Sequence, residues 1–257
     1  MENPIVKQIQ RINFLGVPID ILPEKHLEAF ILKMLESGKS WKIVLLSYKD
    51  FRKARRDKEL QTYLFRAGLV IPVDKSLEWG MKALGLPIPV RYHPFDFAIR
   101  LFGILEQKRM SLYLLGGSVP EVQKAADTVK TGFPGLVLIG RHAGRYPKET
   151  ETTIQTAIQK SSPSLLFAGT GLQGRVKWIF YAEKTITSPL VFWSAEAFQI
   201  IVGKKRLPPR EIFKSRFRQG TLGLAGLWYN PFRWLRIFSY LSYALIVLFS
   251  KLFSKKV

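Results

Sequence analysis

Cysteine is absent from the 257 residues. That excludes disulfides, thiolate nucleophiles, a Cys–His pair and Cys-ligated zinc. Acids are scarce: 19 Asp plus Glu stand against 40 Lys plus Arg, a formal net charge of +21. Such an excess calls for an anionic partner, whether nucleic acid, acidic lipid or a phosphorylated substrate. His26, His93 and His142 are the only histidines, and none has a second ligand at metal-binding spacing. No metal and no cofactor is expected. The chain has no Walker loop, no GxGxxG and no G-x-S-x-G elbow, so the sequence supports neither P-loop hydrolysis, NAD binding nor elbow-serine chemistry. Met1 to Phe14 carries Glu2, Lys7 and Arg11 but no apolar stretch of signal length, which leaves the protein on the cytoplasmic side.

What is present is a globular composition, 47% hydrophobic with mean hydropathy +0.04. Six short apolar runs recur: 43–46, 69–71, 112–115, 136–139, 165–168 and 190–193. Each is bounded by Gly, Pro or Ser and reads as a strand buried on both faces. Helical patterns lie between them, at 24–36, 49–65, 77–84, 95–107, 119–131, 149–160 and 175–182. The alternation predicts an α/β fold, a parallel sheet covered by helices.

The end of the chain differs. From Lys204 onward there are twelve Lys or Arg and one acid, Glu211. The basic stretch holds Lys204, Lys205, Arg206, Arg210, Lys214, Arg216 and Arg218, with Arg233 and Arg236 further on. Ile237 to Ser250 then runs without a charge. A spanning helix needs about 20 apolar residues, so this segment reads as one lying in or dipping into a leaflet. The basic stretch before it suits anionic headgroups or a lipid diphosphate. An apolar run beside the basic cluster argues against nucleic acid. Residues 1–202 are expected to form the body, and 203–257 a basic, apolar membrane-binding appendage.

Two turns offer an anion site. Gly116-Gly117 follows one apolar run and precedes a helix, and Gly169-Thr170-Gly171 follows another. Backbone amides at a strand–helix turn can cradle phosphate, and the carboxyl edge of a parallel sheet is where such folds bind ligands. Asp74, just past a strand end, and Asp96, at a helix start, are candidate carboxylates. A turn and a helix first-turn acid are their plain structural readings.

These residues resemble the WecG/TagA/CpsF family of bacterial glycosyltransferases. The pieces that carry the resemblance occur in order: Leu15 to Asp20, Ala54 to Asp57 with Glu59-Leu60, Ala67 to Pro72, Leu84 to Pro87, Arg91 and Asp96. Leu114 to Gly117, Pro134 to Leu136, Gly169, Gly171, Lys177 to Ile179, Ala197-Phe198, Gly203-Lys204 and Asn230-Pro231 follow. The resemblance implies a Rossmann-like domain with a C-terminal membrane-targeting appendage. It implies inverting transfer of a sugar, typically N-acetylmannosamine, from a UDP donor to an undecaprenyl-diphosphate-linked sugar, without a bound metal. It also implies arginines of the appendage closing over the site.

The family's strand Thr falls on Leu45 here, and its Asn, Pro and Glu on Ser47, Tyr48 and Lys49. Its Asp-Gly falls on Val73-Asp74, and its Gln-Glu on Arg175-Val176. Its glycine-rich strand end reads Trp193 to Glu196, and its next Asp is Gln199. Asp74 and Glu196 are therefore the candidate catalytic carboxylates. Gly116, Gly117, Gly169, Gly171, Arg91 and Asp96 are the candidate donor-binding residues, and the nine cations named above are those for lipid or diphosphate. The expected activity is sugar transfer from a UDP-sugar to a polyprenyl-diphosphate-linked acceptor in cell-envelope polysaccharide synthesis, at the cytoplasmic face of the inner membrane. Anionic lipids and envelope-biosynthesis proteins are the expected partners. The alternative is a catalytically degenerate member serving as a binding or scaffold subunit.

Overall fold

The computed structural model describes residues 9–173, 175–206 and 232–253, with side chains of the last helix from residue 240 to 252. The chain divides into two compact units. The first takes the chain up to Asp74 together with Pro89–Arg206, and the second takes Lys75–Ile88 with the residues from Leu207 onward.

The first unit is built on a six-stranded, wholly parallel sheet. Its strands are β3 (Trp41–Leu46), β4 (Leu69–Pro72), β5 (Ser111–Leu115), β6 (Val137–His142), β7 (Leu165–Ala168) and β8 (Leu190–Trp193). Their order is β4-β3-β8-β7-β5-β6. The chain winds outward from β3 to β4, jumps to β5 and β6, then returns to fill the middle with β7 and β8. Helices flank the sheet: α1 (Leu27–Glu36), α2 (Tyr48–Ala54), α3 (Lys58–Arg66), α5 (Pro94–Gln107), α6 (Val119–Gly132), α7 (Glu151–Ser161), α8 (Trp178–Tyr181) and α9 (Ala195–Ile201). Five of the six apolar runs became strands buried on both faces, whereas β6, at the edge of the sheet, leaves Val137 and Ile139 exposed, so run 136–139 is not the doubly buried strand its sequence predicts. Ile43, Leu69, Leu114, Phe167 and Phe192 join one core with α1, α5, α6 and α9. Val44, Val70, Leu166 and Val191 are buried on the opposite face. Phe167 stacks on Phe192 at 5.3 Å within that core.

Two further features depart from the sequence expectation. An antiparallel hairpin, β1 (Gln10–Phe14) and β2 (Val17–Ile21), precedes the sheet. Its two-residue turn holds Leu15 and Gly16 at φ 51° and 86°, the positive values a type I′ turn requires. Arg11 grips Asp20 through both carboxylate oxygens at 2.7 Å. Asp20 Oδ2 also accepts from Val70 N at 2.7 Å, so the hairpin supplies a partner to the edge strand β4. The pattern at 49–65 is two helices rather than one. Asp57 breaks it by capping α3, its side chain accepting from Leu60 N at 3.0 Å.

The second unit contains α4 (Lys75–Ala83) and α10 (Phe232–Phe253). Tyr243 and Val247 are buried, and the Tyr243 hydroxyl donates to Ser76 O at 2.9 Å. Leu241, Leu245, Leu248 and Leu252 are exposed. Their spacing places them on one helical face. Among the described residues no helix is long and apolar enough to cross a membrane.

Candidate active site

At the carboxyl edge of the sheet lies an open cleft of about 340 Å³. Lys49 and Asp50 line it after β3, Gly169 to Leu172 after β7, and Trp193 and Ala195 at the end of β8. This is the edge at which doubly wound sheets take their ligands, and the volume falls in the range of small-molecule sites.

The glycine turns do something other than expected. Gly116 N donates to His142 O at 3.0 Å, Gly117 N to Thr170 O at 2.6 Å, and Gly169 N to Leu115 O at 2.7 Å. These amides are spent inside the chain. At the start of α6, Ser118 N donates to the Glu121 carboxylate at 2.6 Å, so an acid of the chain already occupies that helix terminus. What the glycines supply is close approach. A Cβ on Gly116 would lie 2.9 Å from Gly169 Cα, and one on Gly144 would lie 2.4 Å from Thr170 O. Gly171, at φ +93°, lines the cleft itself.

The carboxylates converge next to the cleft. Asp74 is half-buried just past β4, and its Oδ2 accepts from Tyr48 N, the first amide of α2, at 2.5 Å. Burial raises its pKa. The Tyr48 hydrogen bond opposes that rise, the charges of Glu196 and Asp50 add to it, and Arg91 opposes it. Arg91 itself donates to Val73 O at 3.4 Å. Asp50 lies in the first turn of α2, where its carboxylate accepts from the Ser47 hydroxyl at 2.6 Å and Ser47 caps its amide at 3.1 Å. Sequence reasoning missed Asp50. The Ser-x-x-Asp spacing at a strand end was the available signal, and it reads as a plain helix cap.

Glu196 lies in the first turn of α9 and is ion-paired to Lys205. His93 faces it, with Nε2 at 4.0 Å. The His93 Nδ1 accepts from Phe95 N at 3.3 Å, which puts the proton of the neutral ring on Nε2, toward Glu196. Burial lowers the His93 pKa, against the pull of Glu196 and Asp96, with Lys205 adding to the lowering. Asp96 is thus near His93 in the first turn of α5.

The expected lipid-binding cations divide. Lys204 is paired with Glu121 and Lys205 with Glu196, so both are engaged in the first unit. Arg206 is exposed. Arg233 and Arg236 fall in the first turns of α10. Arg210, Lys214, Arg216 and Arg218 lie outside the described residues, as does the side chain of Arg175. Other residues of the resemblance have structural work. Lys177 bridges Asp57 at 2.8 Å and Glu59 at 2.5 Å. Burial disfavours its charge, but the bonds to Asp57 and Glu59 outweigh that and raise its pKa. Trp178 is buried and donates to Glu151 at 2.9 Å. Leu45 is part of the core.

Fold and cleft together define an α/β protein with an open cleft over the carboxyl edge of a doubly wound sheet, its charged lining made by Lys49 and Asp50. The sequence model of the glycosyl transferase WecG/TagA/CpsF family matches residues 12–257, and the chain belongs to that family. The match includes α10, beyond the extent read from the motifs. The chain is similar to an N-acetylglucosaminyldiphosphoundecaprenol N-acetyl-beta-D-mannosaminyltransferase of Bacillus spizizenii strain W23, 22% identical over 87% of this chain and 83% of that protein. An enzyme of the same name from Bacillus subtilis strain 168 is 18% identical over 76% and 74%.

Proposed function

We propose that the chain moves a sugar from a UDP-sugar to a polyprenyl-diphosphate-linked acceptor, in cell-envelope polysaccharide synthesis, while seated on the cytoplasmic face of the inner membrane. The observation that carries this reading is the gathering of Asp50, Asp74 and Glu196 beside a cleft at the carboxyl edge of the sheet. Family membership supports the reaction class. The two Bacillus relatives are named for transfer onto an N-acetylglucosaminyl-diphosphoundecaprenol, and a like acceptor suits a chain with an exposed apolar helix face.

Asp74 is the base in this reading. Its carboxylate takes the proton of the acceptor hydroxyl as that oxygen bonds the anomeric carbon. The bond from that carbon to the phosphate oxygen breaks, and UDP leaves with the electron pair. A raised pKa makes a carboxylate a stronger base, and the Tyr48 amide fixes one oxygen so that the other is aimed. Glu196, backed by His93, is the second carboxylate of the site. The exposed leucines of α10 enter the acyl boundary of the membrane that carries such an acceptor.

The test is release of UDP by the full chain from a panel of UDP-sugars, with and without a polyprenyl-diphosphate-linked N-acetylglucosamine in vesicles. Acceptor-dependent release is expected with one donor of the panel. A second reading, a binding or scaffold subunit without turnover, is favoured by one observation: Asp74 and Glu196 both have structural partners, a helix amide and a lysine. Donor binding with no release for any donor would support it.

A further inference from the structure

The amides of Gly116, Gly117 and Gly169 are consumed within the chain. With three of the turn amides engaged, side-chain cations become the main means of holding a charged ligand in the cleft. Several cations nearby are already committed: Lys204 to Glu121, Lys205 to Glu196, and Lys177 to Asp57 and Glu59. Two are not. Lys49 is exposed in the first turn of α2 and lines the cleft. Arg145 is exposed just past β6. Neither has an ion pair or side-chain hydrogen bond among the described residues.

Their placement follows from the topology. The cleft loop Gly169 to Leu172 leaves β7, near the middle of the sheet. Lys49 approaches it from the β3 side, across β8, and Arg145 from the β6 side, across β5. Arg145 N donates to Gly117 O at 3.2 Å, which pins its backbone to the glycine turn. Its side chain then passes over Gly171: a Cβ there would meet Arg145 Cγ at 2.9 Å. The missing Cβ at Gly171 is what lets the arginine stem lie across the loop. The guanidinium lies only a few bonds further out.

We propose that Arg145 and Lys49 form a two-cation clamp for a diphosphate over the Gly169–Leu172 loop. This rests on the reading of the cleft as a sugar-transfer site. A guanidinium takes two phosphate oxygens at once, and an ammonium adds a mobile point charge. Negative charge grows on the leaving phosphate as the sugar bond breaks, so cations fixed there favour the transition state. The chemistry recognised is a diphosphate, carried either by a soluble nucleotide or by the lipid-linked acceptor.

The test uses the full chain and its Arg145→Gln, Arg145→Lys and Lys49→Gln variants. Calorimetric titration with UDP and with inorganic pyrophosphate reads the soluble source. Flotation with vesicles containing a polyprenyl diphosphate, against vesicles of phosphatidylglycerol alone, reads the lipid source. Loss of a charge-assisted bond weakens binding by about tenfold or more, so each Gln variant is expected to lose about that much for UDP and pyrophosphate. Arg145→Lys should recover part of it, and the melting temperature of the unliganded chain should not move. If the loss is confined to the polyprenyl-diphosphate vesicles, the clamp holds the acceptor instead. If wild type binds UDP and pyrophosphate and all three variants bind both sources equally well, the clamp is wrong while the sugar-transfer reading stands. If wild type binds no diphosphate from either source, both fall.

Discussion

Asp74 is costly where it stands. Burial favours its protonated form, so its pKa lies above the ordinary carboxylate value. The linkage has a definite sign. A raised folded-state pKa gives stability that is full below the unfolded pKa, about 3.9, and lost as pH rises through the folded value. At pH 7 the ionised side chain is a net burden. Asp74→Asn keeps an oxygen for the Tyr48 amide and removes the charge. It is expected to raise the melting temperature at pH 7, with the gain shrinking toward pH 4. Thermal melts across that range check it. Site residues were legible in the sequence only where chemistry showed in the residue type. Asp74 stood out as a carboxylate past a strand end, and Glu196 only through the family resemblance. Asp50 was masked by its capping spacing, and Arg145 by lying in an ordinary loop. The glycines were read for their free amides. Which acceptor an amide finds depends on a loop distant in the chain, here Thr170 for Gly117, and no local pattern carries that.

Elements were easier to read than sites. Burial on both faces writes itself as a continuous apolar run in five of the parallel strands, while the run at 136–139 marks the edge strand β6, whose Val137 and Ile139 are exposed. The β1–β2 hairpin has no such run, because its strands mix Arg11, Asn13 and Asp20 with apolar residues. It is held by an ion pair, buried on the Asp20 side, that only the tertiary structure reveals. Asp20 is 1% exposed and has Arg11 and the Val70 amide as partners. Removing one member of such a pair strands the other charge, at about 3–5 kcal/mol. Arg11→Met is therefore expected to destabilise the chain by about that amount in urea unfolding, and to speed hydrogen exchange at Val70. An unfolding midpoint within error of wild type would show that the hairpin does not secure the β4 edge.

At the scale of the whole molecule, the charge of +21 is unevenly spread, with twelve cations and one acid after Gly203. Sequence placed the junction between body and appendage after residue 202. The chain passes between the compact units after Asp74, Ile88 and Arg206, and α4 from the middle of the chain belongs with α10. A helix that joins a distant unit gives no local sign of it. The exposed row Leu241, Leu245, Leu248 and Leu252 is the part of that unit suited to a bilayer. Leu245→Asp with Leu248→Asp should abolish flotation with anionic vesicles and leave UDP affinity unchanged. Undiminished flotation would locate the membrane contact elsewhere.

The most direct measurement is the mass of the lipid acceptor after incubation with the full chain and each UDP-sugar, compared with the Asp74→Asn variant. Wild type should add the mass of one sugar residue, and the variant should do so more slowly by about 10²–10⁴-fold, the usual worth of a general base. An acceptor of unchanged mass with every donor, or a variant as fast as wild type, would contradict a carboxylate-driven sugar transfer at this cleft.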